Sequence, residues 1–147
     1  MKVAIGCDPN AEKFKKVLIP FVESLGHECV DFGSNDPIYA NTAIALAENV
    51  ASKECDRGIL ICGTGIGMAI TANKVPGVRA ACCHDPYSAE RARKSNDAQV
   101  ITMGAQIVAP TLARLLIDHW LASEFAGGRS ATKVDKIKKL DERYHPR

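Results

Sequence analysis

The sequence predicts an α/β fold: a three-layer domain with a five-stranded parallel sheet, helices on both faces and one further helix at the carboxyl end. Three observations predict it. Strand-like apolar runs alternate with amphipathic helical stretches along the whole chain, so the crossovers are helical and the strands parallel. The run at 57–62 is apolar almost throughout, as a strand buried on both faces is. It opens into Gly63-Thr64-Gly65-Ile66-Gly67, a glycine turn of the kind that joins a strand to a helix. Repeats, low-complexity tracts and linkers are absent, and the 147 residues suffice for one domain, 1–147, with a sizeable core.

Each element has its own signal. Residues 2–7, Lys-Val-Ala-Ile-Gly-Cys, form the first strand, and an apolar stripe over 10–25 gives the first helix. Gly26 stops that helix as the residue after its C-cap. Residues 27–32 form the second strand, 33–38 a polar loop and 39–54 the second helix. The third strand at 57–62 leads to a helix over 66–74. Residues 78–83 make the fourth strand, followed by a helix over 86–95 with Pro86 in its first turn. Residues 100–103 make the fifth strand, 108–123 an apolar-striped helix, and 131–143 a basic, polar one. The usual order for such a sheet, 2-1-3-4-5, sets strands 1 and 3 side by side at the switch point, where ligands bind. The loops Cys7-Asp8-Pro9-Asn10 and Cys62-Gly63-Thr64-Gly65 then face one crevice, with the His84-Asp85 loop and the Ser95-Asn96-Asp97 turn expected nearby.

Composition narrows the function. A net charge of +2 gives no footprint for nucleic acid. No apolar run approaches the roughly 18 residues of a membrane span, and the chain enters its first strand without a signal-peptide core, which points to the cytoplasm. The six cysteines form no C-x-x-C pair, and no histidine spacing completes a metal site. Cys29, Cys82 and Cys83 fall in apolar runs and read as small buried hydrophobes.

Cys62 is different, since a strand's carboxyl end followed by glycines sets a thiol beside backbone N–H groups that can converge on an anion. Three familiar glycine loops do not fit. The G-x-x-x-x-G-K-[ST] lysine is missing. Met68 stands where a cysteine phosphatase would need an arginine for its phosphate. The spacing is G-x-G-x-G, not the G-x-G-x-x-G of a dinucleotide site, although Asp85 lies at a suggestive distance. The competing reading is packing alone, with Cys62 inert and the glycines there for close helix–strand contact.

The stretch Ile61-Cys62-Gly63-Thr64-Gly65-Ile66-Gly67-Met68, running on through Ala72-Asn73-Lys74-Val75-Pro76-Gly77-Val78-Arg79, resembles the sugar-phosphate isomerases grouped as ribose-5-phosphate isomerase type B and galactose-6-phosphate isomerase. So do His84 to Arg91, Ser95 to Gln99 and Gly127-Gly128-Arg129, so that the resemblance spans essentially the whole chain. It implies a Rossmann-like domain without metal or cofactor, paired into a homodimer or homotetramer with the active site between subunits. It also implies aldose–ketose isomerisation through an enediolate, with Cys62 as the base. Members lacking this cysteine carry a glutamate where this chain has Met68, so this chain resembles the cysteine type.

The residue chemistry agrees with that implication. Donors along Gly63, Gly65 and Gly67 suit the oxyanion that forms when a proton leaves the carbon beside a carbonyl. Thr64 and Asp8 can shuttle a proton between the two substrate oxygens, and Asn96 can orient a hydroxyl. Arg129, with Lys133 one turn on, can clamp a phosphate as a fork and a point charge; the alternative for both is a solvated helix face.

Several positions depart from the resemblance. The pentose-phosphate enzymes commonly carry histidine where this chain has Pro9 and Ser95, an Asp-Tyr-Pro segment at Asn35-Asp36-Pro37, and often an arginine at Gln106. Ribose 5-phosphate is mainly a closed ring, and imidazole is the natural group to open it. A tetrose phosphate cannot close a furanose through a hydroxyl that already bears phosphate. The expected substrate is therefore the D-ribose 5-phosphate/D-ribulose 5-phosphate pair, with D-erythrulose 4-phosphate/D-erythrose 4-phosphate, or a hexose 6-phosphate, as alternatives. Two further classes are a non-catalytic sugar-phosphate-binding subunit and a thiol redox protein using Cys7 to resolve Cys62.

Overall fold

The structure, a computed structural model, describes residues 1–146. Its strands are β1 (Lys2–Cys7), β2 (Glu28–Asp31), β3 (Arg57–Cys62), β4 (Ala80–Cys82) and β5 (Val100–Gly104). Its helices are α1 (Glu12–Ser24), α2 (Tyr39–Ala51), α3 (Ile66–Ala72), α4 (Pro86–Lys94), α5 (Pro110–Ala122) and α6 (Arg129–Tyr144), with a 3-10 turn at Pro9–Ala11 before α1. None of the described helices is long and apolar enough to cross a membrane.

All strand pairs are parallel, and β1 lies beside β3 as the sequence predicts. The order is 2-1-3-5-4, however, not 2-1-3-4-5: β5 takes the place next to β3, and β4 is the edge. Burial explains the exchange. Every residue of β5 is buried, as an inner strand requires, whereas β4 has three small residues that stay partly exposed.

Side chains alternate across the sheet and divide the core in two. Ile59 and Ile61 of β3 join Cys7, Leu18, Met103, Leu116 and Trp120 on the α1/α5 face. Leu60 and Cys62 join Leu46, Met68 and Ala72 on the α2/α3 face. Gly58 gives α2 its close approach, because a Cβ there would run into Leu46.

One buried cation locks α1 to the sheet edge. Lys15 Nζ donates to Asp31 Oδ1 at 2.7 Å, and the Lys15 side chain is only 3% exposed. Burial pushes the Asp31 carboxyl up, but Lys15 and the Gly33 N–H outweigh it and hold the carboxyl below its ordinary value. A lowered carboxylate stabilises the fold above the unfolded-state value near 3.9, and that contribution is lost as pH falls through the folded value beneath it. Asp31→Asn is expected to cost about 1–3 kcal/mol at neutral pH, seen as a lower melting temperature, and to flatten the acid limb of stability. An unchanged melting temperature would show that water serves Lys15 equally well.

Candidate active site

Cys62 ends β3 between β1 and β5 and is 6% exposed. The Gly65 N–H donates to its sulfur at 3.1 Å, a contact that strengthens when the sulfur is charged. Gly65 is required twice over. Its φ is +79°, and a Cβ would come within 2.8 Å of the Met103 backbone.

The loop is fastened to β5 from below. Thr102 Oγ1 donates to Gly65 O at 2.7 Å, Ala105 N–H to Cys62 O at 2.8 Å and Gln106 N–H to Gly63 O at 3.1 Å. Thr64 is exposed above it, its hydroxyl accepting from Ile66 N–H at 3.3 Å. Gly65 is the N-cap of α3 and offers no side chain of its own, so the loop amides at Gly65 and Ile66 are met by Cys62 Sγ and Thr64 Oγ1.

Asp8 joins this edge from the adjacent strand. Its N–H donates to Ile61 O at 3.2 Å, and its Oδ1 accepts from Ala11 N–H at 3.1 Å, capping the 3-10 turn. Asp8, Cys62, Gly63, Thr64, Gly65 and Gly67 therefore gather at the carboxyl end of the sheet. His84 is also there, but Gly104 N–H donates to its Nε2 at 2.9 Å, which fixes that nitrogen as an acceptor.

Asn96, Arg129 and Lys133 do not join them within one chain, contrary to the expectation that the Asn96 turn lies nearby. That turn precedes β5 and so sits at the sheet's amino end. Arg79, just before β4, donates from Nε to Asn96 O at 3.2 Å and from Nη2 to Asp97 O and Oδ2 at 3.0 and 3.2 Å. Asp97 has φ +49°, so this arginine pins a turn in the left-handed region and fixes how Asn96 is presented. Ala126 N–H donates to Lys94 O at 3.1 Å, bringing the start of α6 to the same end. Arg129 and Lys133 are exposed there, with no ion pair among the described residues. The length of β3 separates the two ends by roughly 15–20 Å.

The other thiols fall into place around this. Burial raises Cys7 and Cys29 to about 11 and Cys83 to about 12, as inert thiols require. Cys82 corrects its sequence reading: it is exposed and donates from Sγ to Thr64 O at 3.6 Å. Cys7 and Cys62 project to opposite faces of the sheet, which removes the geometric basis for a redox pair. Among the described residues, no three His, Cys, Asp or Glu side chains group as metal ligands.

Sequence reasoning missed two residues of this architecture. Arg79 carries no signal of its pinning role, because its partners lie seventeen and eighteen residues on. Tyr39, at the start of α2, lays its ring over Gly67.

With the geometry in place, comparison with known proteins is specific. The model of the ribose/galactose isomerase family matches residues 3–137. Ribose-5-P isomerase B of Listeria innocua is 53% identical over 146 residues, 97% of this chain and 99% of that protein. D-erythrulose-4-phosphate isomerase of Pectobacterium atrosepticum is 48% identical over 141 residues, 93% of each. The structure of Clostridium thermocellum ribose-5-phosphate isomerase B superposes with a TM-score of 0.93 at 44% identity, covering 98% of this chain and 99% of that one.

Proposed function

The chain belongs to the ribose/galactose isomerase family, and from that premise we propose that it interconverts a phosphorylated aldose and its ketose through an enediolate, with Cys62 as the base. The observation that carries this reading is the Cys62 sulfur at the carboxyl end of β3, bonded to the Gly65 amide within a loop of backbone donors. The Cys62 thiolate takes the proton from the carbon beside the carbonyl. The C–H electron pair becomes the enediolate double bond, and the carbonyl oxygen becomes an oxyanion facing the loop amides. The same sulfur returns the proton to the neighbouring carbon. Thr64 and Asp8 pass the hydroxyl proton from one substrate oxygen to the other.

The phosphate clamp calls for a second copy. Arg129, Lys133 and Asn96 are exposed at the amino end of the sheet, far from their own Cys62. Exposed Ile66, Ile70 and Ile107 flank the carboxyl end, 56–58% accessible. A homodimer, alone or as half of a tetramer, that sets one chain's amino end against the other's Cys62 loop completes each site and covers those side chains. Six free cysteines suit a reducing, cytoplasmic setting.

Ribose 5-phosphate and ribulose 5-phosphate are the family's default pair. One observation favours a tetrose phosphate instead. Pro9 and Ser95 occupy the places of the ring-opening imidazoles, and His84, at the carboxyl end, holds the Gly104 N–H. D-erythrose 4-phosphate cannot form a furanose ring, so it needs no such group. Offered as separate aldoses, erythrose 4-phosphate is expected to exceed ribose 5-phosphate in kcat/KM by at least about 10²-fold, the usual weight of a general acid–base group. NMR in heavy water reads both turnover and exchange at the reacting carbon. Comparable rates would mean that another group opens the ring and that the pentose is the substrate.

A further inference from the structure

Tyr39 opens α2, and α2 lies with α3 on the same face of the sheet as Cys62. The segment that delivers it is fixed. Asp36 Oδ1 accepts from Ile38 N–H at 2.8 Å and its Oδ2 from Asn41 Nδ2 at 3.0 Å, with Pro37 between them. The Tyr39 ring fills the space a side chain at position 67 would take, and its hydroxyl and ring edge occupy the point where a Gly67 Cβ would stand. Gly67 is therefore glycine for a reason independent of backbone freedom: it admits the phenol to the wall of the Cys62 loop.

That phenol has no internal task. Tyr39 is 40% exposed, and its hydroxyl has no hydrogen-bond partner among the described residues. A tyrosine serving only to pack would bury its ring more deeply, and one closing a polar network would have a partner. Here a rigid segment holds an unpaired donor over the loop that carries the base.

We infer that the Tyr39 hydroxyl donates a hydrogen bond to an oxygen of the sugar phosphate, outside the two reacting carbons, and holds the substrate against the Cys62 loop. The inference rests on the proposed isomerase reading. Tyr39 then sets where the chain of the substrate runs as it leaves Cys62, and it acts in ground state and transition state alike. Removing it weakens binding more than chemistry.

The test uses the full chain as Tyr39→Phe, which keeps the ring over Gly67 and deletes only the hydroxyl. KM for D-erythrose 4-phosphate and D-ribose 5-phosphate is expected to rise about tenfold, with kcat within about twofold and the melting temperature unchanged. Gly67→Ala, which drives the ring out, is expected to raise KM at least as much, and adding Tyr39→Phe to it should cost nothing further. A wild-type KM in Tyr39→Phe overturns the inference. Calorimetric titration of the same sugars into Cys62→Ala, with and without Tyr39→Phe, separates this result from the isomerase reading. A tenfold loss of affinity without wild-type turnover would sustain Tyr39 as a binding residue and sink the catalysis. Normal turnover with unchanged affinity would sink Tyr39 alone.

Discussion

Replacing Cys62 by alanine is expected to lower kcat by about 10²–10⁴-fold, the range for loss of a positioned base. Isomerisation and solvent exchange at the reacting carbon should fall together, because both begin with the same proton. The fold should survive. Cys62 is buried beside Met68 and Leu60, and removing one sulfur from that cluster costs roughly 1 kcal/mol, about 2–4 °C in a chain of this size. Cys62→Ser sharpens the comparison, since a hydroxyl can keep the Gly65 amide bond yet is a far poorer base at neutral pH. It is expected to be nearly as inactive as the alanine variant while melting like the wild type. Should the alanine variant retain exchange at close to the wild-type rate, the base lies elsewhere, and Asp8, just past the end of the adjacent strand β1, is the first residue to examine.

Much of this site could be read from the chain because its signals are local. An apolar run, a cysteine and alternating glycines are contiguous, and they specify β3, the turn and α3 without reference to the rest of the molecule. The neighbouring position of β1 follows from the crossover rules, which brought Asp8 to the crevice. What was lost is what depends on competition between distant segments. Both Val78–Cys83 and Val100–Met103 look like strands, and nothing local says that the second, buried on both faces, displaces the first to the edge. The Asn96 turn is a different case, because strand polarity alone decides its place. A loop before a strand lies at the opposite end from a loop after one, and the polarity argument that placed Cys62 correctly sends Asn96 away from it within one chain. Tyr39 has no local signal, because its pairing with Gly67 spans two crossovers and the glycine spacing already accounts for Gly67 as part of the turn.

The second large effect lies at the other end of the strand that carries Cys62. Arg57 begins β3, and its side chain is 3% exposed. Its Nη1 donates to Trp120 O and Leu121 O at 2.8 and 3.1 Å, and its Nη2 to Ser123 O and Glu124 Oε1 at 2.9 and 2.8 Å. The guanidinium carbon stands 5.5 Å from the Trp120 ring centroid. One cation thus satisfies the carbonyls that the end of α5 leaves open and turns the chain toward α6. Arg57→Ala leaves those carbonyls buried and opens a cavity against Trp120. The expected loss is about 3–5 kcal/mol, that of leaving three carbonyls without their charged donor and opening a cavity against Trp120, or a fall in melting temperature of roughly 6–20 °C. Arg57→Lys should fall between, since a point charge cannot serve four oxygens arrayed for a planar fork. Kinetics below the new melting temperature should separate the two ends of the strand. The Cys62 end is held by its ladder to β1 and β5 and should keep kcat near wild type. The segment after Ser123 leads to Arg129 and Lys133, so its loosening should appear as a higher KM. A fall in kcat with KM unchanged would mean that strain at Arg57 reaches Cys62 along the strand, and would place the phosphate clamp somewhere other than α6.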